Sequence, residues 1–455
     1  MIVQHHYSEL SAINHELSLK SRKPRVIIKS ARHFGYTGGG YPPPIKTAPI
    51  LKVFLMPSCV IVVENLPVPL DRRVWQEARA LRESGWAVSV ICPATERFPA
   101  RRETIDGIEI FRHSLPLEAN GSIWGFLAEY AMALFHQARL LCLVRWSCDF
   151  DIVQICNPPD LMFLVAWPWK LFGKKVVFDH HDICPELMQA KFGHRRFMQP
   201  LLVLAERLTF KAADLVISAN ESFRQLAISR GGKSPGDVVA VYSIPDKRFF
   251  SKASSRSPTK VGAVIRNDKK IVIGYVGIVG EQDGVDNIVR MARDLSRKYS
   301  LDDFTCVIVG DGPALPSVKS LAIELGVSEY VAFTGYLSGS ELIEALSEFD
   351  IGVIPDPINP YNDKISMNKV FEYSTMGLPI VAFNLSETRR LLKDAALFAT
   401  QGDASGLAEQ VARLIHDPEL RHELGQKAKA LAERDFVWEA EANRYVAAMT
   451  RLFEQ

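Results

Sequence analysis

From residue 51 onward, short runs of β-branched and aliphatic residues alternate with stretches of helical periodicity. Val60–Val63, Ala87–Ile91, Ile108–Phe111, Ile152–Cys156, Val176–Phe178, Leu215–Ser218 and Val238–Val241 predict strands. Between the first two, Asp71 to Glu83 places Val74, Ala78 and Leu81 on one helical face. The alternation restarts at Ile271–Val276 and continues through Thr305–Val309, Val331–Phe333, Ile351–Ile354 and Ile380–Phe383. Strands that alternate with helices predict a parallel, doubly wound sheet. Two such series predict an α/β protein of two Rossmann-like domains facing across a cleft, with ligands outside the carboxyl ends of the strands. The polar run Ser251 to Lys260 divides the series, giving domains at 51–250 and 251–430 and a terminal helical segment at 431–455. Residues 1–50 lack periodicity, carry Gly38-Gly39-Gly40-Tyr41-Pro42-Pro43-Pro44, and are expected to form a basic flexible extension.

Composition narrows the class. The 455 residues are 47% apolar and 23% charged, with 54 basic and 52 acidic side chains, which excludes fibrous, disordered and disulfide-scaffold proteins. Residues 1–250 hold 31 basic and 23 acidic side chains against 23 and 29 in the remainder. Most of that excess belongs to residues 1–50, with seven basic and two acidic side chains, so no nucleic-acid partner is expected. The seven cysteines are odd in number and contain no Cys-x-x-Cys pair, which points to a reducing, cytoplasmic setting. No apolar run reaches the roughly 20 residues of a membrane helix, and no basic-then-apolar signal opens the chain, so a soluble or at most peripheral protein is expected.

Five segments carry candidate chemistry. Gly274-Tyr-Val-Gly277-Ile-Val-Gly280-Glu-Gln-Asp283-Gly284-Val285-Asp286 joins a strand to a helix, where glycines and helix N–H groups can approach a diphosphate. Its spacing is neither the dinucleotide fingerprint nor a P-loop, and a plain turn explains most of it. Gly310-Asp311-Gly312-Pro313 forms a second turn after the next strand. The run from Lys364 to Gly377 predicts a helix from about Asn368 that stops at Gly377 before Pro379. Glu372 on it can accept from both hydroxyls of a ribose and Lys369 can meet a phosphate, although an exposed Lys–Glu pair fits equally. Asp179-His180-His181-Asp182 and Glu186 follow a strand end. Adjacent extended residues point to opposite sides, which disfavours a shared metal; one histidine facing the cleft beside a carboxylate suits a sugar hydroxyl, and a buried, satisfied histidine pair fits equally. Finally, Arg72 and Arg73 lie in the first turn of a helix, where cations are unfavourable, and are candidates for an anionic acceptor or for local ion pairs.

Together, Asn65-x-Pro67-x-Pro69-x-Asp71-Arg-Arg-Val-Trp, Cys156-Asn-Pro-Pro-Asp160, Phe178-Asp-His-His-Asp182-x-x-Pro185-Glu186, Ala219-Asn-Glu-Ser222, the Gly277 loop and Lys369-Val-Phe-Glu372-Tyr resemble the retaining, nucleotide-sugar-dependent glycosyltransferases of family 4, of surface-polysaccharide type. The resemblance runs from about residue 58 to 450. It implies a GT-B fold, a nucleotide-sugar donor in the second domain, a glycan or lipid-linked acceptor against the first, retention of configuration, no metal and no cofactor. It assigns His181 and Asp182 to catalysis. Gly277, Gly280, Asp283, Gly284, Gly312, Lys364, Lys369 and Glu372 fall to the donor, and Arg72, Arg73, His180 and Glu186 to the acceptor. It also takes the last helix back to the first domain. Two departures stand out: Lys364 replaces the first glutamate of the family's Glu-x7-Glu element, and the Gly277–Gly284 loop lacks the usual Arg and Lys. A non-hydrolysing nucleotide-sugar epimerase and an inactive nucleotide-sugar-binding protein are the competing readings. The stretch Lys191 to Met198 fits either contact with an anionic membrane, at the inner membrane face, or a core helix with solvated basic residues.

Overall fold

A computed structural model of the chain describes residues 56–114, 123–192, 198–246 and 270–455. The expectations for residues 1–50, for the connector 251–260 and for most of Lys191 to Met198 lie outside the described residues.

The first domain holds β1 (Ser58–Val62), β2 (Ala87–Pro93), β3 (Arg102–Ile105), β4 (Ile108–His113), β5 (Ile152–Cys156), β6 (Lys175–His180), β7 (Leu215–Ser218) and β8 (Val238–Ala240). They form one sheet in the order β3-β4-β2-β1-β5-β6-β7-β8, parallel except for the β3–β4 hairpin. The second holds β9 (Ile271–Val276), β10 (Phe304–Val309), β11 (Val331–Gly335), β12 (Ile351–Ile354), β13 (Ile380–Phe383) and β14 (Ala396–Ala399). Its order, β11-β10-β9-β12-β13-β14, is the doubly wound order with a switch point beside β9. The expected α/β, GT-B architecture is therefore observed.

Among the helices that flank the sheets and the cleft are α1 (Arg72–Glu83), α2 (Ile123–Ser147), α3 (Met198–Ala212), α4 (Asp286–Lys298), α5 (Asn368–Met376) and α6 (Trp438–Phe453). Asp71 caps α1 by accepting from the Val74 N–H, so α1 begins where Val74, Ala78 and Leu81 can be buried against the sheet. Gly377, at φ +70°, ends α5 in the left-handed conformation that a Cβ would penalise.

Two strands escaped the sequence pattern. β3 alternates exposed and half-buried residues at the sheet edge, and β14 is alanine-rich. The strand state of β14 comes from parallel pairing with β13, not from its own propensity. The core of the first domain lies on both faces of its sheet: α1 covers one with α6, which contributes Trp438, Tyr445, Met449 and Leu452, and α2 and α3 cover the other. The Tyr445 hydroxyl donates to Gln154 Oε1 at 2.6 Å, so the end of the chain is anchored in the first domain.

Candidate active site

The carboxyl end of β6 brings four residues of opposite fate together. Asp179 is fully buried and holds Arg73 from α1, at 2.7 Å from Nη2 and 3.2 Å from Nε. Its other oxygen lies 2.6 Å from His181 Nε2. Although burial opposes ionisation, the Arg73 charge, followed by His181, holds the Asp179 carboxyl far below the usual carboxylate range. His180 points the other way, between Phe178, Phe210 and Phe223, with neither ring nitrogen hydrogen-bonded. Burial lowers its pKa to about 3. The side chain of Asn157, just past β5, accepts from the N–H groups of His181 (2.7 Å) and Asp182 (3.2 Å) and donates to the Asp182 carbonyl (2.6 Å). That clamp fixes the turn carrying His181 and Asp182.

Cys156, Asp179 and His181 place ligand atoms within 4.8 Å of one another. A dication there would sit beside the Arg73 guanidinium, and burial raises the Cys156 pKa well above that of a free thiol, which disfavours the thiolate ligand. The residues present do not suit a metal.

In the second domain the two glycine turns interlock. Gly277 N–H donates to the Val309 carbonyl and Val279 N–H to the Asp311 carbonyl, at 3.1 and 3.0 Å. Asp283 caps the loop by accepting from Gly280 N–H at 3.0 Å. Lys369 is buried, 2.6 Å from Asp356 and 4.7 Å above the Tyr275 ring. The Lys364 ammonium lies 3.4 Å from the Pro360 carbonyl, on the exposed side.

Across the cleft, Arg72 Nη1 donates to Glu372 Oε1 at 2.9 Å, joining α1 to α5 over 300 residues of sequence. Glu372 is 6% exposed, and Arg72 Nη2 is buried with no partner. The Tyr361 hydroxyl donates to Asp182 at 2.7 Å, and the Ser222 hydroxyl to Glu387 at 2.6 Å.

Two sequence expectations need correction, those for Arg73 and His180, and two further candidates, Glu186 and Arg72, hold partners within the chain. Arg73 does not face an acceptor: it is buried against Asp179, Glu77 and the Val241 carbonyl, because a cation in the first turn of α1 finds its counter-charges at the sheet end. His180 is excluded from the cleft by the alternation of an extended strand. Both Glu186 oxygens accept from Arg230. Arg72 pairs with Glu372 across the cleft. Sequence reading overlooked Asn157 and Asp160, which were legible as a polar pair in Cys156-Asn157-Pro158-Pro159-Asp160, and Asp356, legible as a carboxylate directly after β12. Tyr361 carried no local signal.

Comparison with known proteins agrees with this geometry. Residues 70–242 match the glycosyl transferase 4-like domain, and residues 258–431 match the glycosyl transferases group 1 family. Chitobiosyldiphosphodolichol beta-mannosyltransferase of Candida glabrata is 23% identical over 390 residues, covering 80% of this chain and 84% of that protein. Among solved structures, sucrose-phosphate synthase from Thermosynechococcus elongatus superposes with a TM-score of 0.70 at 16% identity, over 88% of this chain and 99% of that one. Anabaena HepE in complex with UDP gives 0.64 at 14% identity, over 87% and 100%. These structures share the fold, and with one domain description matching each sheet, the chain belongs to the group 1 glycosyltransferases of GT-B fold.

Proposed function

We propose that this glycosyltransferase moves a sugar from a nucleotide diphosphate donor to a hydroxyl of a glycan or lipid-linked acceptor, with retention of configuration, in the assembly of a surface polysaccharide. The observation that carries the reading is Glu372: a buried carboxylate on α5, facing α1 across the cleft, with a guanidinium on one oxygen. A ribose offers two hydroxyl donors in place of that one contact. The second domain supplies the rest of a nucleotide site in the interlocked turns after β9 and β10 and the buried Lys369. HepE, a structural neighbour, is described in complex with UDP.

His181 is the residue for the reacting sugar. Asp179 fixes its Nε2, and the Asn157 clamp fixes its backbone. Asp179 holds both Arg73 and the His181 ring, an arrangement that suits orientation of a donor hydroxyl. The retaining reading takes the leaving diphosphate as the group that assists the incoming hydroxyl. Asp182, clamped by Tyr361, positions the same turn.

Thermal-shift titration with UDP-, GDP-, ADP- and TDP-sugars tests the donor site, because a ligand of the folded state raises the midpoint. One nucleotide series is expected to stabilise the wild-type chain and to lose most of that effect with Glu372→Ala. No shift from any donor, or an equal shift in the variant, would overturn the assignment. The anomeric proton of the product, read by NMR, tests retention: an inverted product would overturn it.

A further inference from the structure

The outer layer of the first domain is built inside out. In α3 the polar residues Glu206 and Thr209 are buried, while Leu201, Leu204 and Leu208, spaced three and four apart on one helical face, are 67%, 52% and 39% exposed. The neighbouring segment from Phe163 to Phe172 repeats the inversion, with Trp167 at 51% and Leu171 at 74%. It packs between α2 and α3, and at the end of α2 Trp146 is 89% exposed. Ten of the sixteen large apolar side chains exposed among the described residues lie on these three adjacent elements. An apolar face of this extent marks a contact surface rather than scattered exposure.

Charge selects what meets it. The three elements contain five basic side chains and two acidic ones; Arg145 and Lys170 pair with Asp149 and Asp214, which leaves Arg139, Arg207 and Lys211 as the exposed cations of the face, while Glu206 is buried. Two copies meeting through this face would set like charges against each other, and residues 1–50, with seven basic and two acidic side chains, would be repelled from it as well. No helix among the described residues is long and apolar enough to span a membrane. Exposed tryptophans and leucines beside Arg139, Arg207 and Lys211 are the composition of a surface that lies in the headgroup layer of an anionic bilayer.

We infer that the face formed by α2, the segment 163–172 and α3 docks the chain onto an anionic lipid surface, with Trp146 and Trp167 entering the headgroup region and Arg207 and Lys211 meeting lipid phosphates. The inference does not depend on the identity of donor or acceptor. The opposite face of the sheet is closed to this role, because α1 and α6 cover it.

The full chain is mixed with phosphatidylglycerol–phosphatidylcholine vesicles or with phosphatidylcholine vesicles alone and sedimented. Binding at least tenfold stronger to the anionic vesicles is expected. Trp167→Glu/Leu171→Glu and, separately, Arg207→Glu/Lys211→Glu are each expected to weaken binding about tenfold, with circular dichroism and donor thermal shift unchanged. Lipids brominated on the acyl chains should quench the wild-type tryptophan emission, and quench Trp146→Phe/Trp167→Phe much less. Quenching serves even if a charge-reversal variant does not fold. Wild-type protein left in the supernatant, undiminished binding by both charge-reversal pairs, or a wild-type dimer that Trp167→Glu/Leu171→Glu makes monomeric would overturn the inference.

Discussion

Asp179 does two jobs that substitution can separate. It neutralises the buried Arg73 and it holds His181. Asp179→Asn leaves Arg73 with less counter-charge in a dry site and should lower the unfolding free energy by about 3–5 kcal/mol, measured by urea titration. His181→Ala removes one contact of the buried Asp179 and should cost about 1–2 kcal/mol, less than Asp179→Asn, while reducing kcat by roughly a hundredfold. A His181→Ala enzyme with normal turnover would remove that side chain from the reaction. Lys369 is the second test. Lys369→Ala should raise the donor KM, but it also strands Asp356, whose pKa burial raises and whose only charge-assisted partner among the described residues is Lys369. Adding Asp356→Asn should restore stability without restoring KM; recovery of both would mean that Lys369 is structural.

His180 gives a pH signature. Neutral in the folded protein down to about pH 3 and titrating near 6.5 when unfolded, it adds nothing to pH dependence above 6.5. As pH falls from 6.5 toward 3 the unfolded chain takes up a proton that the folded chain refuses, so this contribution to stability is lost at up to roughly 1.4 kcal/mol per unit. Asp160 opposes it: burial lifts its pKa to about 7, so its contribution is present below pH 4 and is lost as pH rises to 7. Comparing wild type with His180→Phe isolates the histidine, and the wild type should lose stability more steeply between pH 6.5 and 4.

At the scale of elements, the interlocked glycine turns are the most constrained joint. Gly310 has φ +148°, and a Cβ there would lie 1.8 Å from the Gly277 carbonyl. Gly310→Ala should therefore cost on the order of 3 kcal/mol and weaken donor binding together, because the turns after β9 and β10 must separate; calorimetric unfolding and donor titration read both. The joint also shows what was and was not legible. Strand, glycine turn and helix could be read from composition over a dozen residues, including the buried face of α4 at Val285, Ile288, Val289, Ala292 and Leu295. The occupation of the Gly277 and Gly280 N–H groups could not, because their partners, Val309 and Asp283, are set by how the turns stack. Likewise β14 is a strand only by virtue of β13 beside it.

Over the whole molecule, Arg72 and Glu372 close the cleft on themselves. If Glu372 takes a ribose, the donor must displace Arg72, so Arg72→Ala should tighten donor affinity by a few-fold, in line with the roughly 0–1 kcal/mol of a partly exposed pair. Calorimetric titration checks this, and weaker donor binding would instead make Arg72 a direct ligand.

Local pattern alone determined two doubly wound α/β domains, the buried face of α1, the end of α5 at Gly377 and the opposed directions of His180 and His181. These depend on neighbours within a turn of helix or a few strand residues, where periodicity and backbone geometry act directly. Only the tertiary structure decided that Arg73 is a buried clamp, that Glu186 belongs to Arg230, that Tyr361 reaches Asp182 and that α3 turns its leucines outward. Each of those facts is a choice of partner among charges and surfaces distant in sequence. That choice is made by desolvation, which acts only once the chain has folded and one partner is already buried beside the other.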